Sequence, residues 1–132
     1  MAWKIQMTYQ RIAGPNLAPM VKLRVFRPNA EEDLVETTDA LIDSGADVSF
    51  LPKDIPAKII LPSVGSFVVG DINSNSRESP AFYPGVKIEG WNVVIPAAKF
   101  GEWNGPFAIL GRNVLKHIAV LLDGPAGTLS IR

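Results

Sequence analysis

The most informative stretch of the sequence reads Leu41-Ile42-Asp43-Ser44-Gly45-Ala46-Asp47. Two apolar residues precede a carboxylate in a Ser-Gly turn, and Asp47 adds a second carboxylate shortly afterwards. Taken alone, Asp43-Ser44-Gly45 is weak evidence and favours an ordinary turn, because these residue types dominate turns for local hydrogen-bonding and backbone reasons. A second block, Phe107-Ala108-Ile109-Leu110-Gly111-Arg112-Asn113-Val114-Leu115, follows much later in the chain and favours a functional interpretation.

Together the two blocks resemble the retropepsins, the aspartic proteases of retroviruses and their cellular and bacterial relatives. In that family the first block reads apolar-apolar-Asp-Thr/Ser-Gly-Ala-Asp, and the second reads Ile-Ile/Leu-Gly-Arg-Asn/Asp-apolar-Leu. Both patterns match here almost letter for letter, and order and spacing agree over roughly residues 20 to 120. The resemblance implies one retropepsin-like protease domain over residues 1–132, acting as a homodimer without a cofactor or metal.

Length and composition indicate one globular domain. A chain of 132 residues can bury a sizeable core, and 47% hydrophobic with 20% charged residues is neither a disordered nor a fibrous composition. Thirteen basic residues balance thirteen acidic ones, so no general attraction to nucleic acid or an anionic membrane is expected. The absence of cysteine removes disulfides, Cys-based metal sites and Cys nucleophiles. No signal-like or membrane-spanning apolar run is seen, so the expected localisation is cytoplasmic.

Short apolar segments separated by eleven Gly and eleven Pro predict an all-β fold. The resemblance implies a closed or nearly closed β-barrel of the retropepsin type, with one short C-terminal helix and a flap hairpin. Periodicity predicts strands at 3–11, 20–26, 33–43, 48–51 and 91–96, and a closing hairpin of 120–123 with 127–131. The remaining predictions are flap arms at 65–70 and 81–90 around a polar tip at 71–79, a loop at 101–106, and a helix at 113–118.

The resemblance also implies roles for the first block. Asp43 is the implied catalytic residue, and Ser44, Gly45 and Ala46 complete the active-site loop. Because the chain carries one Asp-Ser-Gly, the second carboxylate comes from a second copy across a two-fold axis. Two carboxyls that share one proton can activate water and protonate a peptide carbonyl, and the aspartic proteases are the standard example of this pairing.

The other implied residues bind substrate or support the loop. An extended peptide or protein substrate lies beneath the flaps as an added strand. Its implied contacts are Asp47, Gly70, Asp71 and Ile72. The implied supporting residues are Gly111 and Arg112, and Arg112 is expected to pack against Asp47 through a planar, bidentate contact.

Some alternatives stay open at this point. Arg112 could instead be a solvated helix residue. His117 is the sole histidine, so the sequence gives little support for a Ser-His catalytic site or a metal site with several His ligands. A position on the helix surface or in the core is expected for this residue. The alternative function is a catalytically silent module that keeps the retropepsin fold for dimerisation or peptide binding. The flap tip favours that module, because it lacks the family's usual cluster of glycines.

Overall fold

The structure is a computed structural model that describes residues 3, 5–13, 16–31, 33–70, 73–91 and 93–132. Its regular secondary structure is mostly strand, so the predicted all-β class is confirmed. The strands are β1 (Ile5–Thr8), β2 (Gln10–Ala13), β3 (Asn16–Ala18), β4 (Met20–Phe26), β5 (Val35–Ile42), β6 (Ser49–Pro52), β7 (Ser66–Gly70), β8 (Ser76–Pro80), β9 (Gly85–Ile88), β10 (Val94–Ile95), β11 (Phe100–Trp103), β12 (Ala108–Leu110), β13 (Val120–Asp123) and β14 (Thr128–Ile131). The helices are α1 (Ile55–Lys58) and α2 (Arg112–Leu115).

The main sheet has seven strands in the order β10-β9-β4-β5-β12-β6-β11 and curls into a half-barrel. In β4, Val21, Leu23 and Val25 alternate with more exposed residues and are fully buried, because successive strand residues point to opposite faces. The expectation of a closed or nearly closed barrel is wrong, since the barrel is open. In the described part of the chain, the edge strands β10 and β11 do not pair with each other. β10 contains only two residues, so few backbone groups are available for such pairing.

One contiguous core joins the main sheet to the other elements. Leu51, Phe100 and Leu110 of the main sheet are fully buried in one cluster with Ile59, which follows α1, and Leu129 of β14. Burying a side chain of this size stabilises the fold by roughly 1.5–3 kcal/mol. The strands that flank residues 43–48 are therefore held from several directions by packing.

The structure also has three smaller sheets, with strand orders β1-β14-β13, β2-β3 and β7-β8. The closing hairpin is confirmed as β13 and β14, which pair in antiparallel register. The strand predicted at 3–11 is divided at Tyr9, because β1 pairs with β14 whereas β2 pairs with β3. The predicted strand at 91–96 shortens to β10.

A β-hairpin is present where the flap was predicted, but its second arm lies at β8 rather than at 81–90. The first three residues of β8 are exposed, so a polar sequence suffices there and no apolar alternation marks the strand. Residues 81–90 contain β9 instead, which pairs with β4 in the main sheet. Gly70 ends β7 and is exposed. The other two predicted flap contacts, Asp71 and Ile72, lie outside the described residues.

The predicted loop at 101–106 is wrong for its first half, which belongs to β11 and pairs in parallel with β6. This strand was not predicted because it contains Gly101, and glycine is unusual inside a strand. A Cβ at this position would lie 2.9 Å from the rings of both Phe50 and Phe67, so glycine permits the close approach of these rings.

The predicted helix at 113–118 is shorter and begins earlier, as α2, and His117 lies exposed in the turn after it. A further helix, α1, was not predicted. Its Pro56 occupies the first helical turn, where a missing N–H breaks no hydrogen bond. Within the described residues, no helix is long and apolar enough to cross a bilayer.

Candidate active site

Residues 43–48, here called the Asp43 loop, connect two strands that are not neighbours in the sheet. β12 lies between β5 and β6, parallel to β5 and antiparallel to β6. The Asp43 N–H donates to the Leu110 carbonyl at 3.0 Å and so continues the ladder between β5 and β12 past Ile42. The Asp43 loop therefore crosses the end of β12, and the residues that follow β12 pack against it.

Short-range hydrogen bonds fix the shape of the turn at Asp43. The Gly45 N–H donates to Asp43 Oδ1 at 2.9 Å, and the Ala46 N–H donates to the Asp43 carbonyl at 3.2 Å. A Cβ on Gly45 would lie 3.2 Å from Oδ1, which is tighter than ordinary van der Waals contact. Glycine at this position therefore keeps the N–H close to the carboxylate. Asp43 is half-buried, whereas Ser44 and Gly45 are exposed.

Gly111 brings the second block into contact with the Asp43 loop. This residue is buried, and a Cβ on it would lie 2.6 Å from the Val48 carbonyl oxygen and 2.8 Å from that of Ala46. Both neighbours are backbone atoms, which cannot turn aside as the end of a flexible side chain can. The close approach of the two segments therefore requires glycine at this position.

Arg112 binds the Asp43 loop at three points. Its N–H donates to the Ala46 carbonyl at 2.8 Å, and Nη1 of its guanidinium donates to the Ser44 carbonyl at 2.7 Å. Nη2 forms an ion pair with Asp47 Oδ1, so the two side chains meet as expected, but this single contact differs from the expected bidentate one, and Nη1 binds the Ser44 carbonyl instead. The pair is exposed, at 55% for Arg112 and 81% for Asp47, and exposed pairs contribute about 0–1 kcal/mol. The guanidinium therefore acts mainly by fixing the geometry of the loop.

A buried polar network behind the Asp43 loop was not predicted. Ser49 is fully buried; its Oγ accepts a hydrogen bond from the Gly111 N–H at 2.9 Å and donates to Asn113 Oδ1 at 2.8 Å. Asn113 Nδ2 donates to the Lys99 carbonyl at 2.8 Å. The network joins the start of β6, the residues after β12 and the segment before β11. Its only sequence signal is a single hydroxyl inside the apolar run 48–51.

A cavity of about 280 Å³ adjoins the Asp43 loop. One wall consists of loop residues 45–48 with Phe50, and the other consists of residues 67–70 of β7. Four of the predicted site residues line it, namely Gly45, Ala46, Asp47 and Gly70. Asp43 and Ser44 are not among the lining residues. The apolar wall residues Val48, Phe50, Phe67 and Val69 were not predicted as site residues, although Phe67 and Val69 follow the period-two pattern of β7.

A larger groove of about 550 Å³ lies elsewhere, between β1 and the residues Lys22, Glu89 and Gly90. Volume alone would favour that groove, but neither sequence block contributes to it. We therefore assign the candidate site to the smaller cavity, beside which both blocks meet. Among the described residues, no cluster of three or more His, Cys, Asp or Glu side chains is arranged to hold a metal ion.

Comparison with protein-family models gives no match, and comparison with curated proteins finds no similar chain. The functional interpretation therefore depends on the two sequence blocks and on the geometry that brings them together.

Proposed function

We propose that this protein is an aspartic endopeptidase of the retropepsin type whose active site forms across a homodimer. One observation carries the proposal: the two sequence blocks pack against each other, with Gly111 against the backbone of the Asp43 loop and Arg112 bound to Ser44 and Asp47. An ordinary surface turn needs no such long-range partners. A loop that must hold one carboxylate in a fixed position does need them.

In the proposed mechanism each copy contributes one Asp43, and the two carboxyls meet at the two-fold axis. Like charges at about 3 Å cannot both ionise, so the pair holds one proton, as aspartic proteases generally do. The ionised carboxylate takes a proton from water, and the water oxygen attacks the peptide carbonyl carbon. The protonated carboxyl donates its proton to the carbonyl oxygen. Collapse of the resulting tetrahedral intermediate then breaks the C–N bond, and the amine leaves with a proton.

The neighbouring residues act by orienting this carboxylate. The Gly45 N–H, at 2.9 Å from Oδ1, restricts rotation of the Asp43 carboxylate. Arg112 fixes the loop that carries it, and the Ser49 hydroxyl fixes the strand that follows. Such preorganisation is what catalysis requires, because a reacting group misplaced by about 1 Å can cost a hundredfold in rate.

The cavity beside the Asp43 loop is the proposed site for a substrate side chain. Its walls include Val48, Phe50, Phe67 and Val69, so it favours a large apolar side chain. An extended peptide between the loop and β7 would place alternate side chains on opposite faces, with one of them in the cavity. We therefore expect cleavage near a large aliphatic or aromatic residue.

A catalytically silent module for dimerisation or peptide binding is the second candidate. It is favoured by one observation, namely that Asp43 is not among the residues that line the cavity. Binding of a peptide there would not by itself bring the carboxylate to a peptide bond.

Hydrolysis of a peptide library at mildly acidic pH distinguishes the two functions. We expect cleavage by the parent protein, inhibition by a statine-type transition-state mimic, and loss of cleavage in Asp43→Asn, which keeps the shape of the side chain. Asp54→Asn is the matched control, since Asp54 is exposed beside α1 and away from the cavity. Activity of Asp43→Asn within about tenfold of the parent, a barrier change of only 1.4 kcal/mol, would refute the catalytic role. Peptide binding without any cleavage by the parent would support the silent module.

A further inference from the structure

β11 forms one edge of the main sheet, and its outer side faces the hairpin of β7 and β8. Phe100 and Phe82 exchange two backbone hydrogen bonds across this side, both at 2.8 Å. The Trp103 carbonyl faces the other way, because it accepts a hydrogen bond from the N–H of Lys53, which follows β6. Backbone groups alternate in direction along a strand. The N–H and C=O of Glu102 therefore face the hairpin, as those of Phe100 do.

Pro80 prevents the ladder between Phe82 and Phe100 from continuing to Glu102. In an antiparallel ladder, the next pair to exchange hydrogen bonds would be Pro80 and Glu102. Proline has no N–H, so Pro80 cannot donate a hydrogen bond to the Glu102 carbonyl. The backbone ladder therefore ends at Phe82, and β7 and β8 form a two-stranded sheet separate from the main one.

Two side chains of β8 replace the missing part of the ladder. The Glu102 N–H donates to Ser79 Oγ at 3.1 Å, and this hydroxyl donates in turn to the Pro80 carbonyl at 3.0 Å. Nη2 of Arg77 donates to the Glu102 carbonyl at 2.6 Å. Ser79 is fully buried, so bulk water does not compete for its hydroxyl. The hydroxyl thus bridges two backbone groups, and the guanidinium supplies the donor that proline lacks.

The face of the hairpin that carries these two side chains also forms a wall of the cavity beside the Asp43 loop. Ser79 lies directly opposite Phe67, and Arg77 lies directly opposite Val69. Directly opposed residues of an antiparallel pair share one face. Phe67 and Val69 line the cavity, whereas Ser79 and Arg77 do not line it and bind β11 instead. The wall and its attachment to the main sheet are therefore parts of one rigid pair of strands.

The ring of Phe67 makes the third contact between the hairpin and β11. A Cβ on Gly101 would lie 2.9 Å from this ring, and the Lys99 ammonium lies 4.4 Å from the centre of the ring. Contacts with the face or edge of a ring depend weakly on direction, whereas hydrogen bonds tolerate only a narrow range of distance and angle. The two hydrogen bonds to Glu102 therefore determine how far the hairpin stands from β11.

We propose that Arg77 and Ser79 are positioning residues that set the width of the cavity, and with it the preference of the cavity for a large apolar side chain. They hold β8 against β11, and β8 holds β7, which carries the wall. This inference rests on the proposed function, in which the cavity receives a substrate side chain. A gap of about 0.5–1 Å between a side chain and its wall removes a quarter to a half of their van der Waals attraction. Discrimination between side chains therefore depends on this remote support.

Hydrogen exchange of the Glu102 amide, followed by NMR, tests whether Arg77 holds the hairpin. This N–H binds Ser79 and not Arg77, so it reports the attachment of the whole hairpin. We expect exchange about tenfold faster in Arg77→Met, and nearly unchanged exchange in Arg77→Lys, whose ammonium can still donate to the carbonyl. Lys53→Met is the matched control, because it removes the same charge from the same surface groove and leaves both bonds to Glu102 in place. Unchanged exchange in Arg77→Met would overturn the proposal.

Peptide binding tests whether this attachment sets the preference of the cavity. Each variant is also made in the Asp43→Asn protein, so that a bound peptide is not hydrolysed. Two peptides are compared, namely the best-bound member of a library and the same peptide with its most important large apolar residue changed to alanine. We expect Arg77→Met to lower the ratio of the two Kd values about tenfold, since apolar pockets discriminate through close contact, and Arg77→Lys and Lys53→Met to keep the ratio. Equal weakening of both peptides would show a merely structural role and overturn the proposal. If Arg77→Met does not fold, Ser79→Ala, which removes the other bond, is expected to lower the ratio in its place.

The positioning role and the proposed function can fail separately. A lowered ratio in Arg77→Met, without any Asp43-dependent hydrolysis by the parent, would retain the positioning role and refute the protease. Asp43-dependent hydrolysis by the parent, together with an unchanged ratio in Arg77→Met, would retain the protease and refute the positioning role.

Discussion

Gly111→Ala tests whether the two sequence blocks hold each other in place. The new methyl would lie 2.6 Å from the Val48 carbonyl oxygen and 2.8 Å from that of Ala46. The backbone at Gly111 has φ −87°, which any residue adopts, so the cost is steric. Overpacking of this kind costs about 1–3 kcal/mol, and weakening the hydrogen bond from Arg112 to Ala46 costs about 1 kcal/mol more. The reduced entropy of the unfolded alanine chain offsets about 0.4–1 kcal/mol, so the net loss is about 2 kcal/mol.

Urea unfolding, followed by the fluorescence of the three tryptophans, measures this loss. Gly124→Ala is the matched control, because no atom lies within 4 Å of a Cβ built there, and its stability should stay within about 0.5 kcal/mol of the parent. Hydrolysis by Gly111→Ala should fall as well, since the displaced loop carries Asp43. If Gly111→Ala were as stable as Gly124→Ala, the Asp43 loop could move away from the new methyl group at little cost in free energy. The contact between the two blocks could then not be what positions Asp43.

Three further variants test separate parts of the structure. Arg112→Lys should lower the melting temperature more than Arg11→Lys, which changes an exposed residue of β2, because an ammonium cannot replace a planar guanidinium that bridges two groups of the Asp43 loop; equal melting temperatures would contradict this. Ile60→Gly should raise the free energy of unfolding by about 1 kcal/mol, since Ile60 is 65% exposed and has a left-handed backbone with φ 53°; a decrease would show that its side chain packs. Asp54→Asn should lower stability in urea at neutral pH but not at strongly acidic pH. The hydrogen bond from Lys58 lowers the pKa of Asp54, so the stabilisation is present above the ordinary Asp pKa and lost as pH falls through the lowered value; a difference independent of pH would contradict this.

The sequence pattern predicted strands in which apolar residues recur with a clear period of two. β4 buries Val21, Leu23 and Val25, and β14 buries Leu129 and Ile131, and both strands were predicted. β8 is largely exposed and polar, so nothing in its composition distinguishes it from a loop. β11 was missed because it contains Gly101. The small size of this glycine allows the rings of Phe50 and Phe67 to approach the strand, and it does not favour strand structure. The expected closure of the barrel was wrong. Closure depends on whether the two edge strands pair with each other, and the residue pattern within a single strand does not show this.

The candidate site likewise contains some residues whose roles were predicted and others whose roles were not. The carboxylate and the glycine turn belong to one block of adjacent residues with a recognisable order. The pairing of Arg112 with Asp47 was predicted only because the two blocks together resemble a known family. The sequence could not predict Ser49 as a supporting residue. That role exists only once the Gly111 N–H reaches the Ser49 hydroxyl across 62 residues of chain. The apolar walls of the cavity were missed for the same reason, since β7 and the Asp43 loop are brought together only by the fold.

The Asp43 loop shows the physical reason why some features were predicted and others were not. Its internal hydrogen bonds, from Gly45 and Ala46 to Asp43, determine the shape of the turn, and a short sequence suffices to specify them. They do not determine where the turn lies. That position depends on Arg112, whose guanidinium reaches the Ser44 carbonyl across 68 residues of chain, and on the close approach of Gly111. A turn of correct shape but free position could not hold a carboxylate against a symmetry mate at about 3 Å. The second block is therefore as necessary to the proposed chemistry as the aspartate, although it contributes no reacting atom.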